Sequence, residues 1–286
     1  MIIAISGAGG LIGKKLTAYF ESKGHEVRRI PRIVTGTEPT KVAVSVAGAH
    51  VIINLAGAPI IGRWTVSYKK ELLESRVVTT RKIVEAIGLN SEKPGLLISA
   101  SAIGIYAPEK EQTEDNFSIS DDYLGEICQA WENEARKAIP LTRVVIARFG
   151  VVLDSNGGAL AKMLPVFRFG LGGKIASGRQ GFSWIHISDL AEAMNFLIEN
   201  KNLSGDFSFT APGVTNNKGF TKTLAKVLKR PAFFTVPAFI LKIVFGEGAI
   251  ALTGGQFAPP KHLLDAGYRF SFPDLESALK DLIYRK

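Results

Sequence analysis

A single cysteine, Cys128, among 286 residues excludes an internal disulfide and any metal site built from several thiolates. Long apolar runs are lacking too. The opening run stops at Gly7 with no cleavage site behind it, and the longest later stretch, VPAFILKIVFG, is interrupted by Lys242 and too short to span a bilayer. The expectation is a soluble cytoplasmic protein with no membrane partner. Lys and Arg number 35 against 26 Asp and Glu, a net charge of +9, but no Lys/Arg block or groove-reading motif gathers them. Nucleic acid is therefore not an expected partner, whereas attraction of small phosphate-bearing ligands suits the charge. Internal repeats and low-complexity segments are absent, and 46% hydrophobic residues suffice for an ample core.

What is present begins with IIAISGAGGLIGKKL at residues 2–16. The run from Ile2 to Ser6 reads as a buried strand, and Leu11, Ile12 and Leu16 read as one face of the helix that follows. Gly7, Gly10 and Gly13 recur every third residue between and within them. Glycine serves where the backbone takes unusual angles or a phosphate must approach it closely, and a helix N-terminus offers the anion unpaired N–H groups. The spacing is G-x-x-G-x-x-G; Gly9 also permits the start of a G-x-G pattern, without the third glycine in register. A nucleotide cofactor is expected on this turn, the plainer alternative being a glycine-rich surface turn.

Five further apolar runs, HEVRRI, KVAVSV, HVIINLA, GLLISA and TRVVIARFG, read as strands. Helical patterns occupy residues 66–87 and 121–138, with apolar residues three and four apart. Residues 31–40, PRIVTGTEPT, read as a loop or a degenerate helical turn. The alternation specifies an α/β fold with a doubly wound parallel sheet. After Gly150 glycine and proline become frequent and the pattern loosens. The expected organisation is a nucleotide-binding domain over 1–152 plus about 183–205 and a smaller C-terminal α+β substrate portion from about 153–182 and 206–286. Its cleft would face the C-terminal edge of the sheet.

The end of the second strand separates the two nicotinamide dinucleotides. An acid there holds the ribose hydroxyls of NAD, and a basic residue accommodates the 2′-phosphate of NADP. This strand ends in Arg28 and Arg29, with Arg32 beyond and Glu26 inside it. No acid stands at the tip, so NADP is the expected cofactor. Arg29 is the candidate nearest the adenosine, and Arg32 lies furthest past the strand.

The glycine triplet, NLAG at 54–57, SASAIGIY at 99–106, RFGVVL at 148–153 and WIHISDLAEA at 184–193 follow one another as in extended short-chain dehydrogenases/reductases, which the chain resembles. RWT at 63–65, ESR at 74–76, AWE at 130–132, GLGGKIASGRQGFSWIHISD and the tail LTGGQFAPPKHLLDAGYRF are similar to the nucleoside-diphosphate-sugar epimerase-like branch, which has a small distinctive C-terminal domain. The resemblance covers nearly the whole chain and implies an NADP-binding Rossmann fold. It implies that Gly10, Leu11 and Ile12 lie beneath the pyrophosphate. Leu55, Ala56 and Gly57, after the expected fourth strand, would pass the adenosine ribose. Ser99 and Ser101 would flank the nicotinamide ribose, and Phe149, Gly150 and Val151 would form the nicotinamide rim.

The usual chemistry of this superfamily takes a tyrosine hydroxyl as acid/base, a lysine four residues on in the same helix, and a serine that polarises the substrate oxygen. Here those helix positions fall on Leu124 and Cys128, and both groups are absent. Tyr19 with Lys23 lies late in the first helix, away from the strand ends. Tyr106 with Lys110 spans Pro108, and Tyr123 is one residue off, about 100° around the helix. Ser101, Tyr106 and His186, framed by Trp184, are accordingly the candidates for proton transfer, with His186 alternatively tying strand to helix. Asp189 reads as the first-turn acid of the next helix. Arg179 and Gln180 are candidate contacts to a phosphate or sugar hydroxyl, the alternative being a solvated loop, and Arg76 is a candidate to cross from its helix toward the cleft, with Glu74 either its partner or turned to solvent. The expected function is an NADP-binding, epimerase-like oxidoreductase or isomerase acting on a sugar-nucleotide-like or other small carbonyl substrate. The alternative is a non-catalytic NADP-binding regulator or redox sensor. A homodimer is compatible with the sequence.

Overall fold

The computed structural model describes residues 1–108 and 110–284. Strand and helix alternate as β1 (Ile2–Ser6), α1 (Leu11–Ser22), β2 (Glu26–Arg29), α2 (Pro39–Val46), β3 (Val51–Asn54) and α3 (Val66–Leu89). β4 (Leu96–Ala102), α4 (Tyr123–Arg136) and β5 (Arg143–Phe149) follow. Then come β6 (Val151–Asp154), α5 (Gly158–Arg168), β7 (Gly173–Ile175), β8 (Gly181–Phe182), β9 (Trp184–His186), α6 (Ile187–Glu199) and β10 (Gly205–Phe209). The chain ends with β11 (Thr215–Asn216), α7 (Asn217–Leu228), β12 (Phe234–Val236), α8 (Ala238–Phe245), α9 (Ile250–Thr253), α10 (Lys261–Asp265) and α11 (Leu275–Tyr284).

Six parallel strands form the central sheet in the order β10-β5-β4-β3-β1-β2. From β1 the chain runs first to β2 on one side and then back to β3 on the other, so the order reverses beside β1. The carboxyl ends at such a reversal leave a crevice for ligands. Alternate residues of each strand feed opposite faces. Ile3 and Ile5 pack with Leu16, Phe20, Leu190 and Met194 beneath α1 and α6, whereas Ala4 and Ile52 pack with Ile83, Ile87 and Ile146 beneath α2, α3 and α4.

KVAVSV is not a strand. A strand would turn Val42, Val44 and Val46 to one face, yet Val42 and Val46 are buried while Val44 is 79% exposed. Four-residue burial makes this segment helical, and Pro39 suits its first turn, where a missing N–H costs nothing. NLAG therefore follows the third strand, not the fourth. The preceding residues 31–38 are the expected loop. The sheet also extends past residue 206, because β10 pairs with β5 as its edge strand. The smaller core beyond it gathers Leu160, Phe167, Trp184, Phe220, Leu224 and Leu279. VPAFILKIVFG runs from the end of β12 through the exposed α8. Among the described residues no helix is long and apolar enough to cross a membrane.

One charged cluster crosses the sheet's carboxyl half. Arg148 on β5, 1% exposed, donates to both carboxylate oxygens of Glu132 on α4 at 2.9 Å and to Asp206 on β10 at 2.7 Å. Arg136 on α4 reaches the same two acids, at 3.1 Å to Glu132 and 2.7 Å to Asp206. Burial works against the Arg148 charge, but the hydrogen bonds and charge of Glu132, with Tyr106 and Asp206, outweigh it and raise its pKa. Removing one member of a buried pair leaves the other charge uncompensated. Arg148→Met is expected to lower unfolding free energy by about 3–5 kcal/mol, read from urea midpoints.

Candidate functional site

The chain leaves β1 through a turn that only glycine can make. Gly7 has φ +70°, and a Cβ there would stand 3.0 Å from the Leu55 backbone. Gly13 is pressed against the backbone of Gly7 and Ala8 and has no room for a side chain. Helix α1 starts from an extended Gly10 with no side-chain cap and no acid in its first turn, so its N-terminal N–H groups have no side-chain acceptor among the described residues. Beneath the turn, Ser6 donates to Asn54 at 2.5 Å, and Asn54 and Trp131 donate to Thr80 at 2.8 and 2.9 Å. These bonds hold β1, β3, α3 and α4 together under the site.

A cavity of about 600 Å³ opens at these strand ends. It brings together five of the expected cofactor contacts: Gly7, Arg29, Arg32, Ala56 and Gly57. Both arginines are exposed and neither pairs with a carboxylate among the described residues. Arg28 instead turns to Glu26 at 2.7 Å and to the Ala47 carbonyl at 2.9 Å. Gly10, Leu11, Ile12 and Gly13 form the adjoining helix start, and Leu55 packs below the loop. A glycine cradle, an uncapped helix N-terminus and two unpaired cations fit a dinucleotide's pyrophosphate and a phosphorylated ribose. Sequence reading missed Glu71, Ser75 and Thr79, which line the same cavity from α3. Their four-residue spacing was a usable signal, and Ser75 accepts from the Ala58 N–H at 3.0 Å.

The other expected contacts lie outside this cavity. Ser99 is buried in β4, its hydroxyl without a partner among the described residues. Phe149 packs edge-on against Phe209, and a Cβ on Gly150 would meet the Ser183 carbonyl and Thr210 at 2.7 Å. Val151 begins β6, half-buried. A second cavity of about 520 Å³, beside Pro140, Arg143 and Ser204, lies by the amino ends of β5 and β10, away from the glycine turn.

The three expected proton-transfer groups do not line the groove. Ser101 donates to Glu132 at 2.7 Å and is absorbed into the Arg148 cluster. Tyr106 is fully buried; its hydroxyl meets Ser208 at 2.9 Å and accepts from Arg148 at 3.1 Å, and burial pushes its pKa up to about 12. The short turn Ile103–Ile105 folds it beneath the sheet's edge. His186 ties strand to helix: its Nδ1 accepts from Ser188 N at 3.1 Å, capping α6, and its ring stacks on Phe272 at 4.0 Å. Nε2 lies 3.3 Å from Asp281, yet burial lowers the imidazole pKa to about 4. Trp184 is likewise spent on a backbone bond, to Gly213 O.

Asp189 does more than begin a helix. It accepts from Ser271 N at 2.8 Å and Phe272 N at 3.0 Å, and burial raises its pKa to about 6. Gln180 donates locally to Ile175 O and Arg179 is exposed. Tyr123 donates to Lys69 O at 2.7 Å, and burial pushes the Cys128 thiol up to about 12. Arg76 does approach the site. It donates to Leu72 O and Ala58 O at 2.9 Å, and its guanidinium carbon would lie 3.0 Å from a Cβ on Gly57. Burial pushes its pKa below the ordinary guanidinium value.

Residues 3–208 match the NAD dependent epimerase/dehydratase family, and residues 236–282 match a domain of unknown function, DUF1731. The chain is 40% identical to the epimerase family protein YfhF of Bacillus subtilis, covering 99% of this chain and 98% of that one. It is 39% identical to the mouse epimerase family protein SDR39U1, covering 99% and 100%. The crystal structure of human SDR39U1 with NADPH superposes with a TM-score of 0.94 at 35% identity over the full length of both chains.

His186 yields a test of this geometry. Its folded pKa of about 4 lies below its ordinary 6.5, so its contribution to stability is fully present above 6.5 and is lost as pH falls toward 4. His186→Gln is expected to cost about 1–3 kcal/mol at pH 7 in urea unfolding, with a smaller deficit at pH 5. Dinucleotide affinity should stay within about twofold.

Proposed function

The chain belongs to the NAD-dependent epimerase/dehydratase family, and from that we propose that it binds NADPH in the glycine-arginine groove and acts with it on a small carbonyl compound of sugar-nucleotide type. The observation that carries this reading is the end of β2, where Arg29 and Arg32 stand in the groove and neither pairs with a carboxylate among the described residues. They would take the 2′-phosphate, which NADH lacks. Gly7 to Gly13 and the start of α1 would take the pyrophosphate, and Leu55 to Gly57 the adenosine ribose. Ser99 and Phe149 to Val151 remain the candidates along the nicotinamide half. The complex of the human relative with NADPH supports the same cofactor. Bound there, the nicotinamide supplies hydride chemistry, and the chain's part is to bind, orient and shield it.

A second reading, a non-catalytic NADPH-binding regulator, is favoured by one observation. Leu124 and Cys128 occupy the dyad positions, while Tyr106 and His186 are buried and already engaged. Mixing the pure protein with NADPH and a panel of carbonyl compounds separates the two by the fall in cofactor absorbance. Turnover supports the enzyme, and tight binding without turnover supports the regulator. Calorimetry is expected to give tighter binding of NADPH than of NADH. Arg29→Ala with Arg32→Ala should weaken NADPH by at least about tenfold and leave NADH nearly unchanged. Equal affinities in the wild type would refute the assignment of the groove.

A further inference from the structure

We propose that Arg76 is an oxyanion-recognition site for substrate, placed beside the Gly57–Ala58 turn and replacing from α3 the cation that is missing at position 128. It rests on the reading that NADPH fills the adjoining groove. Glu71, Ser75 and Thr79 face that groove at four-residue spacing. Arg76 is one residue beyond Ser75, about 100° around the helix, so its side chain leaves the groove face. It passes to the Ala58 carbonyl and lies over the Trp131 ring of α4, 5.2 Å from the centroid. Cys128 and Tyr123, also on α4, are within its electrostatic reach. A positive charge thus stands near the α4 position from which the superfamily's lysine would project, but it arises from another helix.

The surroundings of this half-buried charge differ from those of the fully buried Arg148. Arg148 is held by Glu132 and Asp206, whereas Arg76 has no carboxylate among the described residues. Two carbonyl oxygens, of Leu72 and Ala58, accept from its terminal nitrogens. The remaining N–H groups of the fork have no acceptor among the described residues. A half-buried cation without a counter-charge costs stability, and a ligand that brings the anion recovers it. Gly57 is exposed, and its missing Cβ leaves open the space immediately beside the guanidinium. The planar fork matches the paired oxygens of a carboxylate or a phosphate. The substrate class is therefore a small carbonyl compound bearing such a group.

The test is titration of the full chain, with and without NADPH, by oxalate, by inorganic phosphate and by neutral acetamide, followed by tryptophan emission and calorimetry. Saturable binding of an oxyanion and no response to acetamide are expected. Arg76→Met should weaken that binding at least about tenfold while NADPH affinity stays within about twofold. Arg76→Lys, which keeps the charge and loses the fork, should recover part of it, and it carries the comparison if Arg76→Met fails to melt cooperatively. Preference for oxalate assigns a carboxylate, and preference for phosphate assigns a phosphoryl group. Oxyanion affinity unchanged by either substitution, or no saturable response to any oxyanion, overturns the proposal. Failure of NADPH itself to bind refutes the groove assignment instead, and the titration of the unloaded chain still judges Arg76.

Discussion

Arg148 on β5 reaches Glu132 on α4 and Asp206 on β10, and Tyr106, Ser101 and Arg136 complete the cluster. A guanidinium at 1% exposure is tolerable only when its charge and donors are matched on several sides. That requirement ties together three strands of the main sheet, β4, β5 and β10, the helix that covers them and the segment after β4. It also settles which polar side chains remain free for chemistry. Ser101 and Tyr106 sit near the strand ends in sequence order, but the cluster has already claimed their hydroxyls.

Three arginine environments describe the functional half of the protein. Arg29 and Arg32 are exposed and unpaired at the mouth of the groove, where water screens them until a phosphate arrives. Arg148 is buried and saturated, which makes it structural. Arg76 is half-buried and carries no carboxylate among the described residues, the arrangement expected of a site completed by its ligand. Position in the sequence does not distinguish these cases. Counter-charge and burial do.

The glycine turn, the strand-helix alternation and the arginines at the tip of β2 were legible because each is decided over a few neighbouring residues. Gly7 must be glycine for its own φ and for the adjoining backbone, and Arg29 and Arg32 follow β2 at fixed distance. KVAVSV was misread because alternating valines satisfy a strand and a helix equally until it is known which of them meet the core. The polar stripe of Glu71, Ser75 and Thr79 was present in the sequence, but only the packing of α3 beside the glycine turn turns it toward the groove.

The sequence alone determined the parallel α/β architecture, the glycine turn and the charge at the end of β2, since these depend on periodicity and on residues adjacent in the chain. Tertiary structure decided the surroundings of Tyr106, His186 and Arg76. Each is set by a partner more than ten residues away, or by the lack of one: Ser208 and Arg148 for the tyrosine, Phe272 and Asp281 for the histidine, and no carboxylate among the described residues for the arginine. Burial then fixes whether such a group can still exchange a proton or take a ligand, and burial is a property of the assembled core.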